Sequence, residues 1–296
     1  MIDYFRFKWR EIHISKDIIK INNNYRFDKR KYQLVNIKNR VPNLILVGSQ
    51  KCGTTSLYNY LSNHEDICVT SPFKESGYFM FEAWAKSYWK KRSFEISSKK
   101  ELLNKYMNGN LAWHKYFCDA STYYTQDRNE LRYQLPKKIA LESPDAKILY
   151  IIRNPFARIT SNFYHAKNSR NFDKNIDKFI NNWVIDTTLY YDRIKSYIDE
   201  FGKTNVYILQ MEDLKKNPQS VMNGVFDFLD LGRVEIKSFD IFNKTSPDVK
   251  EKFSLQTFTM LHPIFEKQQK LLKKQLGLNI NWNLDKELWV CKNERL

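Results

Sequence analysis

The chain has 296 residues, 42% hydrophobic and 15% aromatic, with 49 Lys and Arg against 33 Asp and Glu for a formal net charge of +16. That length buries a substantial core, and a single set of strand and helix signals implies one elaborated α/β domain over 41–296 behind a basic extension over 1–40. No run approaches the ~18 apolar residues of a membrane span, and four cysteines without a CxxC pair or a neighbouring His pattern argue against zinc.

The extension interleaves basic and aromatic residues, and Ile2, Phe5, Trp9 and Ile12 recur at helical spacing with Arg6, Lys8 and Arg10 between them. Two readings fit that stripe: peripheral contact with an anionic membrane surface, or packing on the domain. The first residues lack a signal peptide's apolar h-region, so the expectation is a soluble, cytoplasmic protein with reduced thiols. The absence of zinc-finger spacing or an RNA-recognition motif leaves the charge without a nucleic-acid reading.

From Val41 the pattern is an apolar strand (Leu44 to Val47), a glycine-bounded loop, and a helix (Thr54 to Asn63). Gly48 and Gly53 frame four residues as in a nucleotide-binding loop, which lets successive backbone N–H groups point at an anion at a helix N-terminus. The usual Gly-Lys-Ser/Thr ending is missing. Gly53 is followed by Thr54, Thr55 and Ser56, and the lysine, Lys51, sits inside the loop beside Cys52. Such a loop offers hydroxyls and one cation to a phosphate, but no Walker pair for a triphosphate and its Mg²⁺. Cys52 is read either as a small residue or as a thiol activated by the loop's N–H groups and Lys51.

A short strand (Ile67 to Thr70) then leads to a loop carrying Lys74 and Glu75, and a helical, aromatic insertion is expected through Phe117. A helix near Asn129 to Glu142 precedes the strand Lys147 to Ile152. There Asn154 is placed to cap, Pro155 to open a helix, and Ser161 to fall two turns in. Arg153, at the strand's C-terminal end, and Ser161 then face the crevice where open α/β sheets bind ligands. Two further helices between Lys174 and Phe201, a strand at Asn205, and helices at Pro218 and Ser254 complete the order. Strands that are apolar without alternation, separated by helices, imply a P-loop-like parallel sheet covered on both faces.

The loop resembles the 5′-phosphosulfate loop of sulfotransferases that use 3′-phosphoadenosine 5′-phosphosulfate, G-x-x-K-x-G-T-T/S-x-L. Lys147 through Tyr164 is similar to that family's 3′-phosphate element, a strand ending R-x-P followed by R-x-x-S-x-Y. Ser71-Pro-Phe-Lys-Glu-Ser-Gly-Tyr-Phe79 resembles the K-E-x-x-x-F element of the heparan-type and related carbohydrate branch, in which the glutamate is the catalytic base. The stretch Tyr191 to Leu231 follows the family's usual order, and the resemblance covers about Val41 to Trp282.

The resemblance implies a sulfotransferase fold and sulfuryl transfer to a hydroxyl or amine, on a carbohydrate or glycolipid, with 3′-phosphoadenosine 5′-phosphate as product and no metal. It assigns Glu75 as base and Lys51 as the cation at the departing oxygen. Gly48, Lys51, Cys52, Gly53, Thr54, Thr55 and Ser56 then hold the 5′-phosphate. Arg153 and Ser161 hold the 3′-phosphate, with Arg158 a third contact or a solvent-facing residue. Lys74, Asp119 and Ser121 are placed at the acceptor. His114 is the rival base, as in members that sulfate small phenols and steroids. Two departures stand out: Ala120 and Thr122 replace a lysine and a proline in an E-K-S/T-P-x-Y stretch, and the K-G-R loop is missing, though Lys244, Lys250 and Lys252 lie nearby. A P-loop kinase and a polyanion-binding module without turnover are the competing readings.

Overall fold

The computed structural model describes residues 41–71, 73–80, 82–91, 96–107, 114–126, 131–240 and 251–291. The 1–40 extension with its apolar stripe, Lys244 and Lys250 lie outside the described residues. In chain order the named elements are β1 (Leu44–Gly48), α1 (Thr54–Leu61), β2 (Ile67–Val69), α2 (Glu82–Lys91), α3 (Lys99–Tyr106), β3 (Tyr116–Asp119) and α4 (Leu131–Glu142). They continue with β4 (Lys147–Ile152), α5 (Pro155–Arg170), α6 (Tyr191–Phe201), β5 (Val206–Gln210), α7 (Met211–Lys216), α8 (Pro218–Phe228) and α9 (Leu255–Leu276).

All five strands run parallel in the order β2-β3-β1-β4-β5. Every residue of β1 is buried, as is β4 beyond Lys147, and burying each such Leu or Ile side chain contributes about 1.5–3 kcal/mol. This explains why these strands read as unbroken apolar runs: both faces of the central strands are covered. The chain leaves β1 toward β2 and β3, but leaves β4 toward β5 on the other side. Their C-terminal ends therefore open a crevice between diverging connections, with Gly48 on one wall and Arg153 on the other.

The helix starts follow local chemistry. Asn154 Oδ1 accepts the Ala157 amide at 3.3 Å and Pro155 opens α5, while Ser98 caps α3 and Ser254 caps α9 through their hydroxyls. Two expectations are corrected. The insertion predicted as helical through Phe117 holds α2 and α3 but ends in β3, a strand paired on both sides. Its four buried residues, Tyr-Phe-Cys-Asp, are too few to show a period, and its partners rather than its pattern make it a strand. The region expected as two helices between Lys174 and Phe201 holds α6 and two short ones, Ile176–Phe179 and Asn182–Asp186.

Candidate active site

The loop after β1 is held by close backbone approach. The Ser49 amide donates to the Ile151 carbonyl at 2.8 Å, tying the loop to β4, and the Cys52 amide closes back on the Ser49 carbonyl at 3.2 Å. Lys51 adopts φ 67° and Gly53 φ 94°. A Cβ on Gly53 would sit 2.3 Å from Met211 Sδ, and one on Gly48 would sit 2.3 Å from Thr125 Oγ1. Gly53 is also the N-cap of α1 and has no side chain to cap with, and the first amides of a helix have no carbonyl of their own helix to bond. The Ser56 hydroxyl turns toward the Tyr60 phenol.

Cations converge on this loop. Arg153 Nη1 donates to the Lys51 carbonyl at 3.1 Å, and the Arg153 carbonyl in turn accepts the Tyr190 hydroxyl at 2.9 Å. Burial, then Arg153, then Arg158, lower the Lys51 pKa from 10.5 to about 8. Arg158 is fully buried, so the reading of it as a solvent-facing residue is corrected; its Nε donates to the Gln50 carbonyl at 3.1 Å. Ser161 lies on α5 and is 9% exposed. Cys52 is fully buried against Tyr190, 3.6 Å from its hydroxyl, and burial pushes the thiol up to about 11. The activated-thiol reading of Cys52 is therefore overturned: desolvation outweighs the neighbouring cations.

The loop after β2 meets the helix start through Lys74. Its ammonium reaches Thr54 Oγ1 at 3.3 Å and the Ala120 carbonyl at 3.0 Å, and lies 3.2 Å from Glu75 Oε1. Thr122 Oγ1 also donates to Glu75 Oε1, at 3.0 Å. Thus Thr122, which stands where the resemblance expects proline, orients the glutamate. The side chains of Lys74 and Glu75 are only 15% and 17% exposed, well below what an ordinary surface pair shows.

Asp119 and Ser121 do not face an acceptor. Both are 0% exposed. The Ser121 hydroxyl donates to Asp119 Oδ1 at 2.6 Å and accepts the Gly77 amide at 2.9 Å, while the Tyr124 hydroxyl donates to Asp119 Oδ2. They brace the Glu75 loop, and burial raises the Asp119 pKa against those hydrogen bonds. His114 as base is likewise corrected. It is 5% exposed, packs against Phe117 with ring centroids 6.0 Å apart, and precedes β3 at the sheet's N-terminal edge. At about 3.3 Å per residue, the strand separates it from the crevice by roughly four residues' rise. Lys252, offered as a substitute for the K-G-R loop, donates to the Glu287 carbonyl at 2.9 Å.

Residues 41–277 match the model of the sulfotransferase domain. The chain belongs to the sulfotransferase family. It is similar to the bifunctional heparan sulfate N-deacetylase/N-sulfotransferases of Drosophila melanogaster (24% identity, 80% of this chain, 23% of that protein) and Caenorhabditis elegans (24%, 68% and 24%). It is also similar to human heparan sulfate glucosamine 3-O-sulfotransferase 3B1 (22%, 70% and 50%). This sulfotransferase thus spans about a quarter of the length of the first two relatives and half of the third. A sulfotransferase from Alicyclobacillus acidocaldarius superposes with a TM-score of 0.61 at 20% identity, over 82% of this chain and 98% of that one, and so shares the fold.

Proposed function

We propose that this sulfotransferase moves the sulfuryl group of 3′-phosphoadenosine 5′-phosphosulfate to a hydroxyl or amine of a carbohydrate or glycolipid. The observation that carries the reading is Lys74, whose ammonium joins the anion-loop helix at Thr54 to the Glu75 carboxylate. It sets a base beside the place where an anion would sit. The site also fits a dianion: Lys51, Arg153 and Arg158 gather around the loop.

In the reaction an acceptor oxygen or nitrogen bonds to sulfur while the bond from sulfur to the bridging phosphate oxygen breaks, and the acceptor's proton passes to Glu75. Lys51 neutralises charge on the departing oxygen, an interaction that strengthens toward the transition state. The α1 amides and Thr55 hold the 5′-phosphate, and Arg153 with Ser161 reads the 3′-phosphate. The relatives named for heparan sulfate support a carbohydrate acceptor. Four cysteines, none in a disulfide, support a reducing, cytoplasmic setting. Incubation with the donor and a panel of desulfated heparan-type polysaccharides, glycolipids and small phenols, followed by measurement of incorporated sulfate, tests the acceptor. Incorporation confined to the phenols would overturn the carbohydrate assignment.

A further inference from the structure

Arg158 is a cation that the transfer steps leave unused. It lies one turn into α5 at 0% exposure. Its Nη1 donates to Thr188 Oγ1 at 2.7 Å, Thr187 Oγ1 at 3.0 Å and the Val184 carbonyl at 3.4 Å, and its Nε to the Gln50 carbonyl at 3.1 Å. Its Nη2 has no partner among the described residues. No carboxylate pairs with it there. The groups acting on it are the uncharged Tyr190, Cys52 and Tyr150 and the like-charged Arg193, and Arg193 is itself paired with Asp186 at 2.7 Å. A charge held in the interior without a counter-charge is costly, and here it stands directly behind the one turn that carries Lys51.

We propose that Arg158 is a positioning residue of the transfer site: through the Gln50 carbonyl it fixes the turn that presents Lys51, and its unpaired charge is balanced by the phosphate the loop takes up. This rests on the reading of the loop as the donor's phosphate site. The same arrangement acts on Lys51, whose pKa is lowered to about 8 by burial, by Arg153 at the end of β4 and by Arg158 on α5, against Cys52 in the loop. Protonated Lys51 attracts the anion, so affinity is full below that pKa and declines as pH rises through it. Arginine keeps its proton across this range, and Cys52 titrates only near 11. Removing the charge of Arg158 lets Lys51 hold its proton to higher pH and moves the alkaline limb upward.

The test is calorimetric binding of 3′-phosphoadenosine 5′-phosphate and of inorganic pyrophosphate by the whole chain, between about pH 6.5 and about 9.5 to bracket the limb. Wild type, Arg158→Gln, Arg158→Lys and Thr188→Val are compared. Arg158→Gln is expected to lose about tenfold or more in affinity at neutral pH, the scale of a hydrogen bond to a charged group, with its limb displaced upward. Arg158→Lys and Thr188→Val keep the charge, so they are expected to bind more weakly than wild type with the limb in place. Uniform loss in Arg158→Gln with an unmoved limb, or binding equal to wild type, overturns the proposal. Should that variant fail to fold, an upward limb in Arg158→Lys overturns it and an unmoved one supports it. Pyrophosphate binding with these shifts, without binding of the bisphosphate, supports the role of Arg158 and overturns the donor assignment. Wild-type binding of neither probe overturns both.

Discussion

The two oxygens of Glu75 have different roles. Oε1 accepts Thr122 and lies beside Lys74, and the proposed mechanism assigns the acceptor's proton to the other oxygen, Oε2. Changing Glu75→Gln keeps the shape and the Thr122 contact while removing the base. Turnover is then expected to fall by about 10²–10⁴, with affinity for 3′-phosphoadenosine 5′-phosphate within a few-fold of wild type. Near-normal turnover in a binding-competent Glu75→Gln protein would remove Glu75 from the mechanism. Lys51 is the complementary case, because charge grows on the departing oxygen as the bond breaks. Lys51→Ala is expected to depress kcat by a larger factor than it weakens nucleotide binding, read by single-turnover rates against calorimetry. Equal losses would mean that Lys51 binds the ground state alone.

The β1-loop-α1 element works because Gly53 satisfies two demands at once. Its φ of 94° is costly for any residue with a Cβ, and that Cβ would strike Met211 Sδ at 2.3 Å. Gly53→Ala is therefore expected to lower the melting midpoint and weaken bisphosphate binding together, at a backbone cost of about 1–2 kcal/mol. Adding Met211→Ala relieves the contact but not the backbone, so partial recovery is the expected outcome; full recovery in thermal melts would assign the whole effect to packing. This element was legible in the sequence because glycine spacing and an apolar strand are local signals. So was the turn from β4 into α5, through Asn154 and Pro155. What escaped depends on contacts far apart in the chain. Lys74 gains its meaning from Thr54 and Ala120, Thr122 from Glu75, and the burial of Arg158 from the 184–188 turn that closes over it. The resemblance puts Asp119 and Ser121 at the acceptor, yet the β3 strand, invisible as a pattern, draws them inside. His114 sat between the two phosphate motifs in sequence, and only the parallel run of β3 places it at the wrong edge.

At the scale of the whole molecule, the net charge of +16 favours anions in general, so long-range attraction alone does not separate one nucleotide from another. Discrimination has to come from the crevice. The bisphosphate product carries the 3′-phosphate assigned to Arg153 and Ser161, whereas ATP lacks it and relies on Mg²⁺ contacts that this loop, without a Lys-Ser/Thr pair after its second glycine, does not supply. A ligand that binds only the folded state at about 100 times its dissociation constant stabilises by about 2.7 kcal/mol, and each kcal/mol raises the midpoint by on the order of 2–4 °C in a domain of this class. A clear upward shift is thus expected with 3′-phosphoadenosine 5′-phosphate and little with Mg-ATP. The shift should vanish in an Arg153→Ala, Ser161→Ala double variant. Raising the salt should shrink any shift that survives there, because non-specific attraction is screened within about 8–10 Å near physiological ionic strength. A larger shift with Mg-ATP than with the bisphosphate would place the chemistry of this crevice with phosphoryl transfer instead.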